Sequence, residues 1–344
     1  MIWWQPVKIK VKPVLEIRDN KYQNDEIKLD LMNNTPKDLR GNFTVNDSQN
    51  SSWSISANTT QSFKIPKASV VSGTNTVLVT LTSGEEIPLQ FTNWDIPASN
   101  HNNLETVPLS DHFNATVNSI FEPKYLSPRP DTPTLQLPIT GIGNWCYPNV
   151  ADDVVIDDTG LRTKAGSKGF IVSPQQIPFA TKSNTGNNVV FTSQWDTYPN
   201  SVSIPISGKA QHAYLMMTGT TNPMQTQMTN GSVTITYTDN TQEVLELKNP
   251  ENWWPIEQDY YTDGYAFKTN APKPPRVIFK TGDITRDFKN YSNIHGFTNY
   301  GIESGAGTIV DLPLDPKKTL KNLKIESHTN DVVIGLMSLT LQRN

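Results

Sequence analysis

Cysteine is nearly absent from this chain of 344 residues: Cys146 is the only one, which excludes an intramolecular disulfide framework and any cysteine-cluster metal centre. Charge is sparse as well. Only 18 % of the residues are Asp, Glu, Lys or Arg, and 29 basic against 33 acidic side chains leave a net charge of −4, the wrong sign for a nucleic-acid partner. No run of about 18 apolar residues occurs, so the sequence offers no helical membrane span. Helical periodicity is missing over most of its length. The first residues, Met1-Ile2-Trp3-Trp4-Gln5-Pro6, have neither the basic nor the apolar region of a signal peptide. Two adjacent tryptophans at that position lead us to expect a piece cut from a longer protein.

Uncharged polar residues fill the gap: 33 Asn, 38 Thr, 25 Pro and 19 Gly. Thr suits a pleated surface while Asn, Pro and Gly punctuate it, so the composition is that of strands and turns. Residues 1–97 carry short apolar runs every 8–12 residues, among them Glu26–Leu31, Leu39–Val45 and Thr76–Leu81, several in strict alternation. This predicts an immunoglobulin-like β-sandwich. Residues 98–140 are rich in proline and carry Phe113, Phe121, Tyr125 and Leu126, which predicts an ordered connector packed on the second domain. Ser110 or Asp111 would cap a short helix there, and Thr134–Leu137 would give a first strand. From residue 141 to 344 about ten strand-like runs with long loops predict a jelly roll. Thr238–Thr241 closes a hairpin between Thr234–Tyr237 and Glu243–Leu247. The fold class expected is all-β.

Catalytic chemistry finds little foothold. Asp152, Asp153, Asp157, Asp158, Glu251, Glu257, Asp259 and Asp263 are carboxylates in polar loops, but no spacing pairs two of them for a glycosidase. The five histidines, His101, His112, His212, His295 and His328, lack metal-binding spacing, and His212 reads as a sheet residue. Cys146 lies between Trp145 and Tyr147, neighbours that raise a thiol pKa. No nucleophile elbow or phosphate loop is present. No cofactor is called for, although polar loops with Asp157 and Asp158 would admit a structural calcium ion. Sequons at Asn33, Asn42, Asn46, Asn50, Asn58, Asn114, Asn230 and Asn290 follow from the Asn and Ser/Thr content.

Binding has better support. Sugars present C–H faces to aromatic rings and hydroxyls to planar polar groups. Residues 249–267 hold Trp253, Trp254, Tyr260 and Tyr261 together with Gln258, and Trp145 and Trp195 are further aromatic candidates. Arg276 would meet an acidic sugar. The alternative is that Trp253, Trp254 and Gln258 pack the loop onto the sandwich, and exposure of the rings decides between the two.

The segments Gly169–Phe179, Ile204–Met217, Val233–Thr241 and Leu245–Trp254 resemble the galactose-binding-like jelly rolls appended to bacterial glycoside hydrolases, with Asn240 where those domains usually carry Gly. Four phrases, Tyr125–Pro130, Ile156–Arg162, Asn249–Tyr261 and Asp331–Met337, resemble one uncharacterised family of large exported proteins of polysaccharide-degrading bacteria. The resemblance spans about residues 105–344. It implies a glycan-processing setting in the periplasm or outside the cell, with a catalytic domain N-terminal to this region in the same parent chain. The reading is therefore a non-catalytic accessory region that binds carbohydrate through its jelly roll, with a glycan as ligand. The alternatives are purely structural modules packing on that catalytic domain, and a hydrolase in its own right, which would need two carboxylates in one cleft.

Overall fold

The computed structural model describes residues 11–23, 26–46, 48, 51–96, 102–121, 155–182, 184–194, 198–221, 225–258, 260, 266–285, 302–330 and 332–344. The chain is all-β and divides into two units. One is Met1–Asn93 with Asn270–Pro272; the other is Trp94–Thr269 with Lys273–Asn344.

In the first unit the strands are β1 (Leu15–Gln23), β2 (Glu26–Asn33), β3 (Leu39–Val45), β4 (Ser51–Ile55), β5 (Thr60–Pro66), β6 (Gly73–Leu81) and β7 (Glu86–Asn93). They form two antiparallel sheets, β1-β2-β5 and β4-β3-β6-β7, the partition of an immunoglobulin-like sandwich whose fourth strand has joined the second sheet. Alternation does the work: in β2, Ile27, Leu29 and Leu31 point inward while Lys28 and Asp30 point out. The core they enter holds Trp53 and Phe43, with Phe63 edge-on to both rings. Asparagine earns its abundance here as a backbone mimic. The buried Asn33 amide donates to the carbonyls of Lys37, Ile55 and Ser56 and accepts from the Thr35 N–H. Asn75 clasps the 71–73 turn in the same way.

The second unit contains β8 (Leu104–Thr106), the helix α1 (Thr159–Ala165), β9 (Phe170–Val172), β10 (Pro178–Ala180), β11 (Val190–Ser193), β12 (Ser201–Pro205), β13 (Ala210–Thr221), β14 (Thr229–Tyr237), β15 (Gln242–Lys248), β16 (Arg276–Ile278), β17 (Ile284–Thr285), β18 (Ala306–Pro313), β19 (Leu320–Ser327) and β20 (Val332–Arg343). A seven-stranded sheet runs β11-β20-β13-β18-β16-β17, with β8 also on β20, and faces a four-stranded sheet, β12-β19-β14-β15. The first core, which includes Leu215, Val233, Ile325 and Leu339, lies between them. On β19, alternation leaves Lys321 exposed and Lys324 and Glu326 half-exposed. The seven-stranded sheet is different. Its other face carries a second core, with Tyr214, Met216, Val333 and Met337 covered by α1, β9, β10 and the 115–120 turn. That double burial is why β13 and β20 read as near-continuous apolar runs.

Residues 104–121 are ordered and packed into the second unit: β8 pairs with β20 and Ala115 bridges Val189. One expectation shifts. Where a helix was expected at 110–121, turns and a single 3-10 turn at Val117–Ser119 stand instead, because Asn114 turns away to bond the backbone of Phe191 in both directions. Among the sequons, Asn33 and Asn230 are fully buried and so unavailable for glycosylation in the folded chain. The hairpin at 238–241 forms as expected, with Asn240 in the left-handed region at φ 65°. Thr134–Leu137 and Tyr125–Pro130 lie outside the described residues.

Candidate functional site

The second face of the seven-stranded sheet carries a cleft of about 400 Å³, within the range of small-molecule sites. Its floor comes from one irregularity. β13 and β20 pair in register until Met216 opposes Ser338 and Met217 opposes Leu336, so Met337 is an extra residue in β20, a β-bulge. Before the bulge Val332, Ile334 and Leu336 enter the first core; after it Leu339 and Leu341 do. The change of parity puts Met337 and Ser338 side by side on the opposite face. The bulge also falls where the outer edge of β20 changes neighbour, from β11 along Val333–Leu336 to β8 along Thr340–Gln342.

Met216, Met337 and Ser338 make the floor. Thr106–Ser110 and Phe113 form one wall; Gly169, Ala180–Lys182, Asn184 and Asn188 form the other. Ser338 is 1 % exposed, and its hydroxyl has no hydrogen-bond partner among the described residues. A buried hydroxyl of that kind stays paired in most proteins. Lys182, half-exposed, is the one charged side chain of the lining, with its ammonium 5.4 Å from the Phe113 ring centroid. The described lining carries no carboxylate.

The walls are held from behind. Asp158, fully buried, accepts from Arg162 Nε at 2.8 Å and from Asn188 Nδ2 at 2.6 Å. Asn188 Oδ1 takes the Val117 N–H, and the Arg162 guanidinium reaches the Asn184 and Gly186 carbonyls. One residue earlier, Asp157 Oδ1 receives the Thr159 hydroxyl and N–H, which hold its carboxyl below the usual range. Gly160 sits so close to the 279–280 turn that a Cβ would lie 1.8 Å from the Lys280 oxygen. The Ile156–Arg162 phrase is thus the frame of a preformed cleft. Among the described residues no group of three His, Cys, Asp or Glu side chains gathers as a metal site.

The aromatic loop takes another place. Trp253 and Tyr260 are 0 % exposed and Trp254 1 %. Trp253 fills the first core against Gly219; Trp254 meets Tyr260 edge-to-face at 5.0 Å and stacks with Phe267 at 6.3 Å; the Tyr260 hydroxyl donates to the Pro274 carbonyl. Gln258 is buried, with no side-chain partner among the described residues. Arg276, 1 % exposed, donates to the carbonyls of Pro255, Gln258, Ala306 and Gly307 and lies 5.1 Å from the Tyr260 ring. The expectation that these five residues present themselves to a sugar is corrected by their burial: all five are 0 or 1 % exposed, and the Tyr260 and Arg276 donors are taken by backbone carbonyls. Loop closure with Asn252, which bonds the backbone of Glu246 and Lys248, demands that inward packing. Trp145, Trp195 and Tyr261 lie outside the described residues, as does Cys146.

Composition pointed to aromatics and so passed over Ser338, Met337 and Lys182. A signal existed: in Leu336-Met337-Ser338-Leu339-Thr340-Leu341 the leucines are three apart, then two. A regular strand cannot keep both spacings on one face.

A second polar group lies on the same sheet face. His212 Nδ1 and Asp311 Oδ1 are 2.9 Å apart, Tyr214 stacks on the imidazole, and its hydroxyl donates to Gln342. Burial pulls the His212 pKa down, but the hydrogen bond and charge of Asp311 outweigh it and leave it raised.

No protein-family model matches the chain, and no curated protein matches it either.

Proposed function

We propose that this chain is a non-catalytic accessory region of a larger exported glycan-processing protein, and that its second unit binds carbohydrate in the bulge cleft. The observation that carries the reading is the cleft itself, about 400 Å³ with the half-buried Val107 and Phe113 on one wall and Lys182 and the exposed Asn184 on the other, above a floor that is itself closed, Met216 and Ser338 being 0 % and 1 % exposed. Amphipathic sugar rings need that combination of apolar contact and a few placed polar groups. The walls, tied by Asp158, Arg162 and Asn188, offer it without an ordering cost. No carboxylate pair lines the described cleft, so a hydrolase gains no support from it.

Glycan-array screening followed by titration calorimetry of the whole chain tests the reading. Saturable binding that weakens several-fold in Asn184→Ala, a change at an exposed lining residue, with unchanged thermal stability, is expected. Absence of saturable binding to any glycan defeats it.

One observation favours a second reading, purely structural modules: the concentrated aromatics of 249–260 are spent inside the unit. Under that reading the chain binds its parent catalytic domain and no sugar, and Asn184→Ala has no sugar binding to weaken.

A further inference from the structure

Resting on the carbohydrate reading of this cleft, we infer that its ligand is an acidic sugar, held by an ion pair between Lys182 and a carboxylate on the sugar ring. The charge pattern points there. The chain is acidic overall, at −4, yet the described lining has one cation and no anion. Among the described residues Lys182 forms no ion pair; its recorded contact is the Phe113 ring. Elsewhere some exposed lysines do find carboxylates, Lys64 with Glu26, Lys164 with Asp283 and Lys280 with Glu303. An ammonium kept over an aromatic ring at the mouth of an apolar-floored cleft is short of a counter-charge. The low local dielectric strengthens whatever anion arrives.

Geometry supplies the rest. Lys168, exposed, precedes the lining residue Gly169 and adds a second positive charge beside the same wall. Behind that wall the buried Asp158 is already engaged with Arg162 and Asn188, so its charge is balanced there. A sugar carboxylate bound to Lys182 lets the ring lie against the half-buried Phe113 and Val107, with a ring hydroxyl toward the exposed Asn184. A neutral sugar leaves the ammonium unpaired and forgoes the strongest contact that the lining offers.

The test uses matched ligands and the whole chain: oligomers of galacturonate, glucuronate and mannuronate, each as the free acid and as its methyl ester, titrated at low and at physiological salt. At least one acid is expected to bind ten-fold or more tighter than its own ester, with the gap narrowing as salt rises. Lys182→Gln is expected to erase the gap and leave the weaker ester binding as it was, while Lys182→Arg retains it. Lys182 is half-exposed, so these variants fold. Equal affinity for acid and ester, or a preference that survives Lys182→Gln, overturns the inference and leaves the carbohydrate reading standing. If neither the acids and esters nor any neutral glycan binds, both fail together.

Discussion

Arg276 separates a ligand-binding role from a structural one. Its guanidinium makes four hydrogen bonds, all to backbone carbonyls between 2.9 and 3.2 Å, and is 1 % exposed. Replacement by Met keeps much of the volume but removes every donor. Hydrogen bonds to a charged group contribute roughly 1.5–3 kcal/mol each, so four of them amount to about 6 kcal/mol at the low end. Against this stands the desolvation of the guanidinium, several kcal/mol, which the Met variant no longer incurs. The net loss comes to about 3 kcal/mol. In a unit of this size that lowers the unfolding midpoint by about 6–12 °C. Thermal unfolding followed by circular dichroism reads it directly. Arg276→Lys, a point charge without the planar fork, is expected to fall between Met and the native residue. A midpoint within about 2 °C of the native one for Arg276→Met would refute the structural role.

Two other perturbations follow from close packing and from charge. Gly160→Ala drives a methyl into the Lys280 carbonyl, 1.8 Å away, and should lower stability in urea by about 2 kcal/mol or more through displacement of α1. His212 has a folded pKa raised by Asp311 despite its burial. A raised basic group stabilises fully below its unfolded pKa, near 6.5, and the contribution fades as pH climbs through the folded value. Urea titrations from pH 5.5 to 9 should therefore show the native chain losing its advantage over His212→Asn as pH rises. A gap that stays constant or widens with pH contradicts the ion pair.

Much of the architecture was legible because burial leaves a period in the sequence. Glu26–Leu31 alternates since one face of β2 meets the core and the other water. Val332–Leu341 does not alternate since both faces of β20 are covered. Within the segment 98–140 the strand β8 left no signal for a physical reason: it is three residues long and borrows its register from β20, so no local pattern announces it. The site was harder still. Tryptophan and tyrosine at high density serve a core and a sugar platform equally well, and only the tertiary path of 249–260 assigns Trp253, Trp254 and Tyr260 to the interior. Cleft residues come from five separated stretches of chain, which no spacing rule joins.

The bulge that builds the cleft is also a place where the chain length itself can be changed. With Met337 present, Leu336 and Leu339 both face the first core although three positions separate them. Deletion of Met337 leaves them two positions apart, the spacing of a regular strand, so Leu336, Leu339 and Leu341 keep their side of the sheet. Ser338 then takes the single outward position between them. The cost is one buried Met, about 2–5 kcal/mol, offset by roughly 1 kcal/mol from a more regular ladder. Deletion of Met216 from β13, which pairs with β20 across the same point, has no such escape. It turns Met217 from the first core into the second and the already buried Thr218 and Thr220 into the first, where Thr220 loses its hydrogen bond to Glu257 and the hydroxyls lie unpaired among apolar side chains. The Met337 deletion should thus unfold cooperatively at a midpoint lowered by about 10 °C, and the Met216 deletion should lack a cooperative transition. Equal damage from the two deletions would mean that the extra residue is fixed by the strand and not absorbed by it, and the account of the cleft floor would fall with that result.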